Sequence, residues 1–311
     1  MTSLHIWQFK FKIENMKIGY FADGPWGHLT LEKLLNDPTI DIAFIVPRND
    51  TKDSFLKEKA EEYSIDYLCP VKVNSDEFYD LAKKYDCDLF VSMSYNQIFR
   101  ERIYTLPKYK TINCHAGKLP YYRGRNILNW ALINDEKEFG ITVHYVNDGI
   151  DTGDIIVQQT YPITDTDDYS TLLKVAYKEC PKLLYQAIKK IQSGDLEAVD
   201  QNTISKYGLY CGIRTIGDEI IDWNSTSREI FNFVRAICSP GPRALTWCNG
   251  EEVYINKVEY NAEFPKYKGT NGQILAKLGE KYIVKTSDSY IYIIEYESSH
   301  KLRVGDRLGS K

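Results

Sequence analysis

The chain has 311 residues, enough for two domains that each bury a core, and its 43% hydrophobic and 26% charged content is that of an ordinary soluble globular protein. A formal net charge of −4 argues against a strongly basic nucleic-acid binder, and the absence of any run of about 18 apolar residues argues against a membrane partner. Seven cysteines, odd in number and never in CxxC spacing, fit a reducing compartment better than a disulfide framework or a zinc site, so the cytoplasm is the expected location.

Residues 1–15 lack the apolar core and cleavage site of a signal peptide and read as an N-terminal extension. From Met16 onward short β-rich runs alternate with amphipathic stretches. "KIGYFA" predicts a strand, "HLTLEKLLN" a helix, "DIAFIVP" a second strand and "TKDSFLKEKAEEY" a charged helix. "IDYLCP" reads as a brief third strand, "DEFYDLAKKY" as a helix, and "DLFVSMS" and "KTINCHA" as strands four and five. That alternation implies βαβ units and a parallel sheet covered on both faces, with ligands beyond the carboxyl ends of the strands. Two extended runs around a tight turn follow over 139–163, then a helix from about Tyr169 to Ile191, capped by Asp167, Asp168 and Ser170. "SGDLEAVDQNTISKYG" is polar and aperiodic, a candidate linker. Beyond it come one helix, "SREIFNFVRAI", and five short β-runs separated by turn residues, the pattern of a small antiparallel barrel. The fold class is therefore α/β. A Rossmann-like, mostly parallel sheet fills 16–205, and a smaller OB-like β-barrel fills 206–311.

Three polar residues are weighed together as candidates for chemistry. Asn113 and His115 stand two apart on the fifth strand, so they share one side, with Cys114 turned away. Asp151 lies in the Gly-rich turn "DGIDTGD". An Asp beside a His orients the ring and sets its charge, and an Asn amide can donate to an oxygen that becomes negative during attack at a carbonyl. Acyl transfer to an amine needs both services. From residue types alone the bland reading stays open: Asn-x-His is common, and Asp151 could simply stabilise its own turn.

"NCHAGKLPYYRGRNILNWALINDEKEFGITVHYVNDGIDTGDII" closely resembles the core of the formyltransferase family that uses N10-formyltetrahydrofolate. The shared pattern is Asn-x-His-x-Ser/Gly-x-Leu-Pro, a Tyr-Arg-Gly-like turn, a Gly-Val-Thr-x-His-like strand and Asp-x-Gly. The likeness extends from about residue 16 to the C-terminus through "GIRTIGDEIIDW", "VRAICSPGPRALTW" and "VGDRLG". It departs at Ser239-Pro240-Gly241-Pro242, where family members carry Pro-Trp-Pro. The closest kin in pattern are the sugar-nucleotide N-formyltransferases, relatives of methionyl-tRNA formyltransferase.

The resemblance implies that 16–205 is the catalytic domain. His115 would move protons, Asn113 would hold the formyl oxygen, and Asp151 would set the charge and orientation of His115. The segment Met93, Ser94, Tyr95, Asn96, Gln97 and Ile98 would line the pterin slot largely through backbone groups, with Asp148 and Gly149 closing it. No metal is required. The acceptor would be a nucleotide-linked amino sugar, of 4-amino-4,6-dideoxy type for a bacterial surface glycan, with methionyl-tRNA formylation as the alternative. The tRNA enzymes usually carry a basic insertion after the second strand, and "VPRNDTKDSFLKEKAEEY" passes almost at once into a helix of mixed charge. Residues 206–311 hold 15 Lys+Arg against 13 Asp+Glu, too even a balance for a broad nucleic-acid face. Two further readings are weaker: a hydrolase of the same folate, and a non-catalytic nucleotide-binding module. A homodimer is compatible with the sequence.

Acceptor-side candidates are Tyr122, Arg123, Arg125, Arg214 and Trp26, with Tyr95, Asp218 and Asp222 as weaker ones. Arg123 and Arg125 could clamp a pyrophosphate or merely pin their loop. Two histidines weigh less: His28 reads as a helix-start residue, and His144 in "GITVHYV" as packed rather than as a second base.

Overall fold

The computed structural model describes residues 15–309, so the predicted extension lies almost wholly outside the described residues. The chain divides into two compact units. The first holds the described residues through Cys114 with 145–148 and 184–197; the second holds 115–144, 149–183 and everything described from Ala198 onward.

The first unit runs β1 (Met16–Ala22), α1 (Gly24–Leu35), β2 (Ile40–Val46), α2 (Ser54–Glu62), β3 (Asp66–Tyr67), α3 (Asp76–Lys84), β4 (Leu89–Met93), α4 (Glu101–Tyr104) and β5 (Thr111–His115). Strand order is β3-β2-β1-β4-β5 with parallel ladders, as the alternating pattern predicts. The order reverses between β1 and β4, which places a crevice at their carboxyl ends. The third strand is shorter than expected, two residues, because Cys69 and Pro70 leave the ladder into an exposed loop.

Gly19 on β1 is dictated by packing: a Cβ there would lie 2.5 Å from the Phe44 ring and 2.7 Å from Phe90. The gap lets aromatic side chains close around Phe21, which meets Phe44, Phe90 and Phe99 edge-on at centroid separations of 5.7, 5.2 and 5.0 Å. The helix starts are fixed by side chains. Asp53 caps α2 by accepting from Leu56 N and also accepts from Gly24 N at 2.8 Å, tying the starts of α1 and α2 together. It also binds His28 at 2.7 Å; α1 begins at Gly24, so His28 lies one turn inside the helix rather than opening it.

After β5 the chain continues with β6 (Arg123–Gly124), α5 (Ile127–Ile133), β7 (Glu138–Tyr145), β8 (Ile155–Pro162), α6 (Tyr169–Ser193), α7 (Gln201–Ile204), β9 (Tyr210–Cys211) and α8 (Ser227–Ile237), all in the second unit except the last residue of β7 and the C-terminal part of α6. There follow β10 (Ala244–Cys248), β11 (Glu251–Glu259), β12 (Ile274–Leu278), β13 (Lys281–Lys285), β14 (Tyr290–Ser298) and β15 (Leu308–Gly309). Thr226 and Glu229 form a reciprocal capping box at the start of α8, whose Ile230, Val234 and Ile237 are buried.

The last six strands form one antiparallel sheet in the order β12-β13-β14-β11-β10-β15. The expected barrel is thus an open sheet whose edges are drawn together by single bonds: Ile274 N to Asp306 O and Leu308 N to Gly272 O, each 2.8 Å. The expected linker is corrected too. It contains α7 and the buried Gln201, whose amide does structural work described below.

Candidate active site

Strand β5 carries Asn113 and ends on His115. The strand then turns through Ala116 and Gly117 toward the loop that holds Tyr122. The ring nitrogen Nε2 of His115 lies 2.7 Å from the Tyr122 carbonyl. A carbonyl only accepts, so Nε2 carries the proton of that bond. A Cβ at position 117 would lie 2.4 Å from Nε2 and 2.5 Å from the Tyr122 oxygen, so glycine is required for this contact.

The other nitrogen, Nδ1, faces Asp151 Oδ2 at 3.6 Å. The same oxygen accepts the Gly124 N–H at 2.9 Å, and Asp151 Oδ1 faces His144 Nε2 at 3.4 Å. One carboxylate therefore stands between two imidazoles and a backbone donor. Burial opposes its ionisation, but His115, His144 and Gly124 more than offset this and hold its pKa well below the usual carboxylate range.

Sequence reasoning brought Asn113, His115 and Asp151 forward but left His144 as a packed residue. His144 is buried, as expected, and it also contacts the Asp151 carboxylate. The β7–β8 ladder shifts register between Val143 and His144, and such a bulge re-aims a side chain. Gln201 was missed altogether. Its Nε2 donates to the carbonyls of Asp151 (2.9 Å) and Gly153 (2.7 Å), while its Oε1 accepts from Arg123 Nη2 at 2.7 Å. It joins the aspartate turn to the Tyr-Arg-Gly-Arg loop. No periodicity could have revealed it.

The acceptor-side candidates separate by what they touch. Arg123 is committed to Gln201 and lies over the Tyr210 ring, the loop-pinning role. Arg125 is exposed and spends only its backbone N–H, on Cys211 O. The Tyr122 hydroxyl binds Glu136 at 2.5 Å. Arg214 lies over Trp130 and Phe233 and lines a pocket of about 310 Å³ with Asn126, Asn129, Tyr169, Thr215 and Glu219. Asp218 and Asp222 are turn residues, accepting from Thr215 N and Asn224 N at 2.6 and 2.9 Å. Trp26 lies half-buried on α1.

In the first unit, the segment after β4 lies at the carboxyl ends of β1 and β4. Met93 is buried and pairs with Ala22 and Cys114. Ser94 has φ of 60°, and Arg48 donates to its carbonyl at 2.7 Å. Asn96 reaches Asp50, Gln97 accepts from Val73 N, and the Ile98 side chain is exposed. Asp148 interacts with the Tyr104 hydroxyl, and a Cβ on Gly149 would collide with Thr152 Oγ1.

Tyr95 departs from the pocket-wall reading. Its ring stacks on Phe99 at 5.5 Å and meets Phe21 edge-on, within the aromatic core. Its hydroxyl is buried with no hydrogen-bond partner. Tyr95→Phe is therefore expected to stabilise the protein by about 1 kcal/mol, since it removes an unsatisfied polar atom and keeps the ring. Chemical denaturation of both proteins measures this, and a loss of stability would contradict the assignment.

Comparison with known proteins places this geometry. The sequence profile of the formyl transferase family matches residues 19–188, and that of the formyl transferase C-terminal domain matches 215–305. A methionyl-tRNA formyltransferase of Pelotomaculum thermopropionicum is 32% identical over 258 residues, covering 81% of this chain and 80% of that protein. The crystal structure of WlaRD, a sugar 3N-formyl transferase in the presence of dTDP and 5-N-formyl-THF, has a TM-score of 0.67 at 23% identity, covering 92% of this chain and 99% of its own. An N-formyltransferase from Helicobacter canadensis, in complex with folinic acid and dTDP-3-aminofucose, has a TM-score of 0.68 at 22% identity, covering 91% and 100%. At these identities the two structures speak for the fold.

Proposed function

Because this chain belongs to the formyl transferase family and is an N-formyltransferase, we propose that it moves a formyl group from N10-formyltetrahydrofolate to the amine of a nucleotide-linked amino sugar. The finer reading is a 4-amino-4,6-dideoxy sugar made for a surface glycan. The observation that carries a small acceptor over a tRNA is the connection between β2 and α2. It is only residues 47–53, and its one arginine, Arg48, is turned inward onto Ser94 and Asp23. Within 206–311, Arg228, Arg243 and Lys281 are each paired with a carboxylate, which lowers the positive charge available to a nucleic acid.

In the reaction the sugar amine attacks the formyl carbon, a C–N bond forms, and the bond to the folate N10 breaks. His115 takes the proton released by the amine and passes it to N10. Of its two ring contacts, the 3.6 Å one at Nδ1 is the looser, so the ring can turn there while Tyr122 O keeps its other end. Asp151 stays ionised and holds the ring, and the Asn113 amide donates to the formyl oxygen as it becomes negative. We assign the folate to Met93–Ile98 with Asp148 and Gly149, the diphosphate to Arg125, and the remaining acceptor contacts to Tyr122, Arg214 and Trp26, with Arg123 bracing the loop. The domain boundary near 205 and a homodimer belong to the same reading.

The amine must be unprotonated to attack, so the rate is expected to fall about tenfold for each pH unit below the amine's pKa. A rate flat under acidification would exclude this nucleophile. The deciding experiment incubates the protein and N10-formyltetrahydrofolate with a panel of 3-amino and 4-amino sugar nucleotides and with charged initiator tRNA, reading the mass gain of one formyl group. Formylation of a sugar nucleotide supports the proposal. Preferential formylation of the tRNA establishes the second reading, which the 32% identity to a methionyl-tRNA formyltransferase favours.

A further inference from the structure

Among the described residues, one cluster of metal-ligating side chains lies outside the formyl-transfer centre: Cys248, His300 and Asp306, with one ligand atom of each within 4.8 Å of the others. The sheet brings them together. Cys248 ends β10 and pairs with Leu308 of β15, while His300 and Asp306 lie on the segment that joins β14 to β15. Cys248 is fully buried; the other two side chains are 27% and 18% exposed, which leaves an entry from solvent.

We propose that Cys248, His300 and Asp306 form a site for a borderline divalent transition ion of the Zn²⁺ class, with water as fourth ligand. Mixed sulfur, nitrogen and oxygen donors suit such an ion and do not suit Mg²⁺ or Ca²⁺.

The spacing supports this. His300 Nε2 and Asp306 Oδ2 are 3.4 Å apart. That is longer than the ~2.7–2.9 Å of an ion-paired hydrogen bond. It equals the edge of a tetrahedron with bonds of about 2.0–2.2 Å to nitrogen and oxygen. The same Nε2 also lies 3.3 Å from the Asn249 amide nitrogen, so it stands between a donor and an acceptor, and one proton cannot serve both. The same Asp306 Oδ2 accepts the Arg303 N–H at 2.8 Å, a contact that fixes the carboxylate and leaves its other lone pair for an ion.

Metal binding exchanges the Cys248 thiol proton for the ion, forming an S–metal bond and releasing one proton to solvent. Only the thiolate ligates, so affinity is expected to rise with pH. The bound ion would staple the β10–β11 turn to the segment leading into β15. It takes no part in formyl transfer.

The test titrates the metal-stripped full-length protein with Co²⁺. One equivalent is expected to produce a thiolate-to-cobalt charge-transfer absorption and intense tetrahedral visible bands, all abolished by Zn²⁺, and Zn²⁺ alone is expected to raise the unfolding midpoint. His300→Ala and Asp306→Asn should weaken Co²⁺ binding by more than about 100-fold, with circular dichroism of each variant confirming its fold; Cys248→Ser should remove the charge-transfer band. Absence of that band in the parent protein, or unchanged affinity in His300→Ala, overturns the site.

Discussion

Asp151→Asn is expected to lower the turnover number of formyl transfer by about 10²–10⁴-fold, with the Michaelis constant for the folate near its original value. The carboxylate faces three groups at once: His115 Nδ1, His144 Nε2 and the Gly124 N–H. An asparagine of the same size has one oxygen and one NH₂. Whichever way it is placed, its NH₂ faces a nitrogen that the carboxylate had attracted. The His115 ring then keeps its Tyr122 anchor and loses the charge that holds its other side. The same change has an acid signature. The folded-state pKa of Asp151 is depressed, so its stabilising contribution is complete above the ordinary carboxylate pKa of about 3.9 and is lost as pH falls below it. Asp151→Asn should therefore flatten the decline of stability below about pH 4. His144→Ala tests the positioning role, with a smaller loss of turnover and an altered pH–rate profile. Steady-state kinetics with parallel unfolding curves separate these effects. Turnover of Asp151→Asn within about threefold of the parent would sink the assignment.

The sequence made the parallel sheet legible because its strands are short apolar runs separated by amphipathic helices, and Asn113 and His115 followed from the two-residue period of β5. Asp151 was legible through the Asp-x-Gly of the family pattern, since its turn alone left open that it merely stabilises that turn. His144 was not, because strict alternation in "GITVHYV" reads as a packed strand, and its contact with Asp151 comes from a turn that only the fold brings against it. Gln201 and the Cys248–His300–Asp306 cluster share another obstacle. Their partners are distant in sequence and meet through pairings, β6 with β9 and β10 with β15, that neither composition nor spacing encodes. Arg123 shows the reverse limit. Its position beside a predicted site left a phosphate clamp and loop pinning both open, and its guanidinium is occupied by Gln201.

Arg235→Ala is expected to destabilise the second unit by about 3 kcal/mol, although the ion pair it breaks is not a short one. Arg235 is 6% exposed, and its guanidinium lies 3.6 Å from Asp135. It donates to the Thr164 and Asp167 carbonyls at 2.7 and 3.2 Å, to Asn232 at 3.0 Å, and lies over the Phe231 ring. Removing it leaves the buried Asn232 side chain and the part-buried Thr164 and Asp167 carbonyls without their donor, and an unsatisfied buried acceptor costs about 1–3 kcal/mol. Arg243 offers the contrast. It meets Glu297 at 2.5 Å, but the two side chains are 33% and 73% exposed. Water replaces that contact when it is cut, so Arg243→Ala is expected to cost less than about 1 kcal/mol. Distance alone ranks the two pairs one way and burial ranks them the other, and desolvation is the larger energy. Urea unfolding of the two variants decides between the rankings: equal losses, or a larger loss for Arg243→Ala, would show that the Arg235 acceptors are hydrated in the folded state and that the buried network does not hold α8 in place.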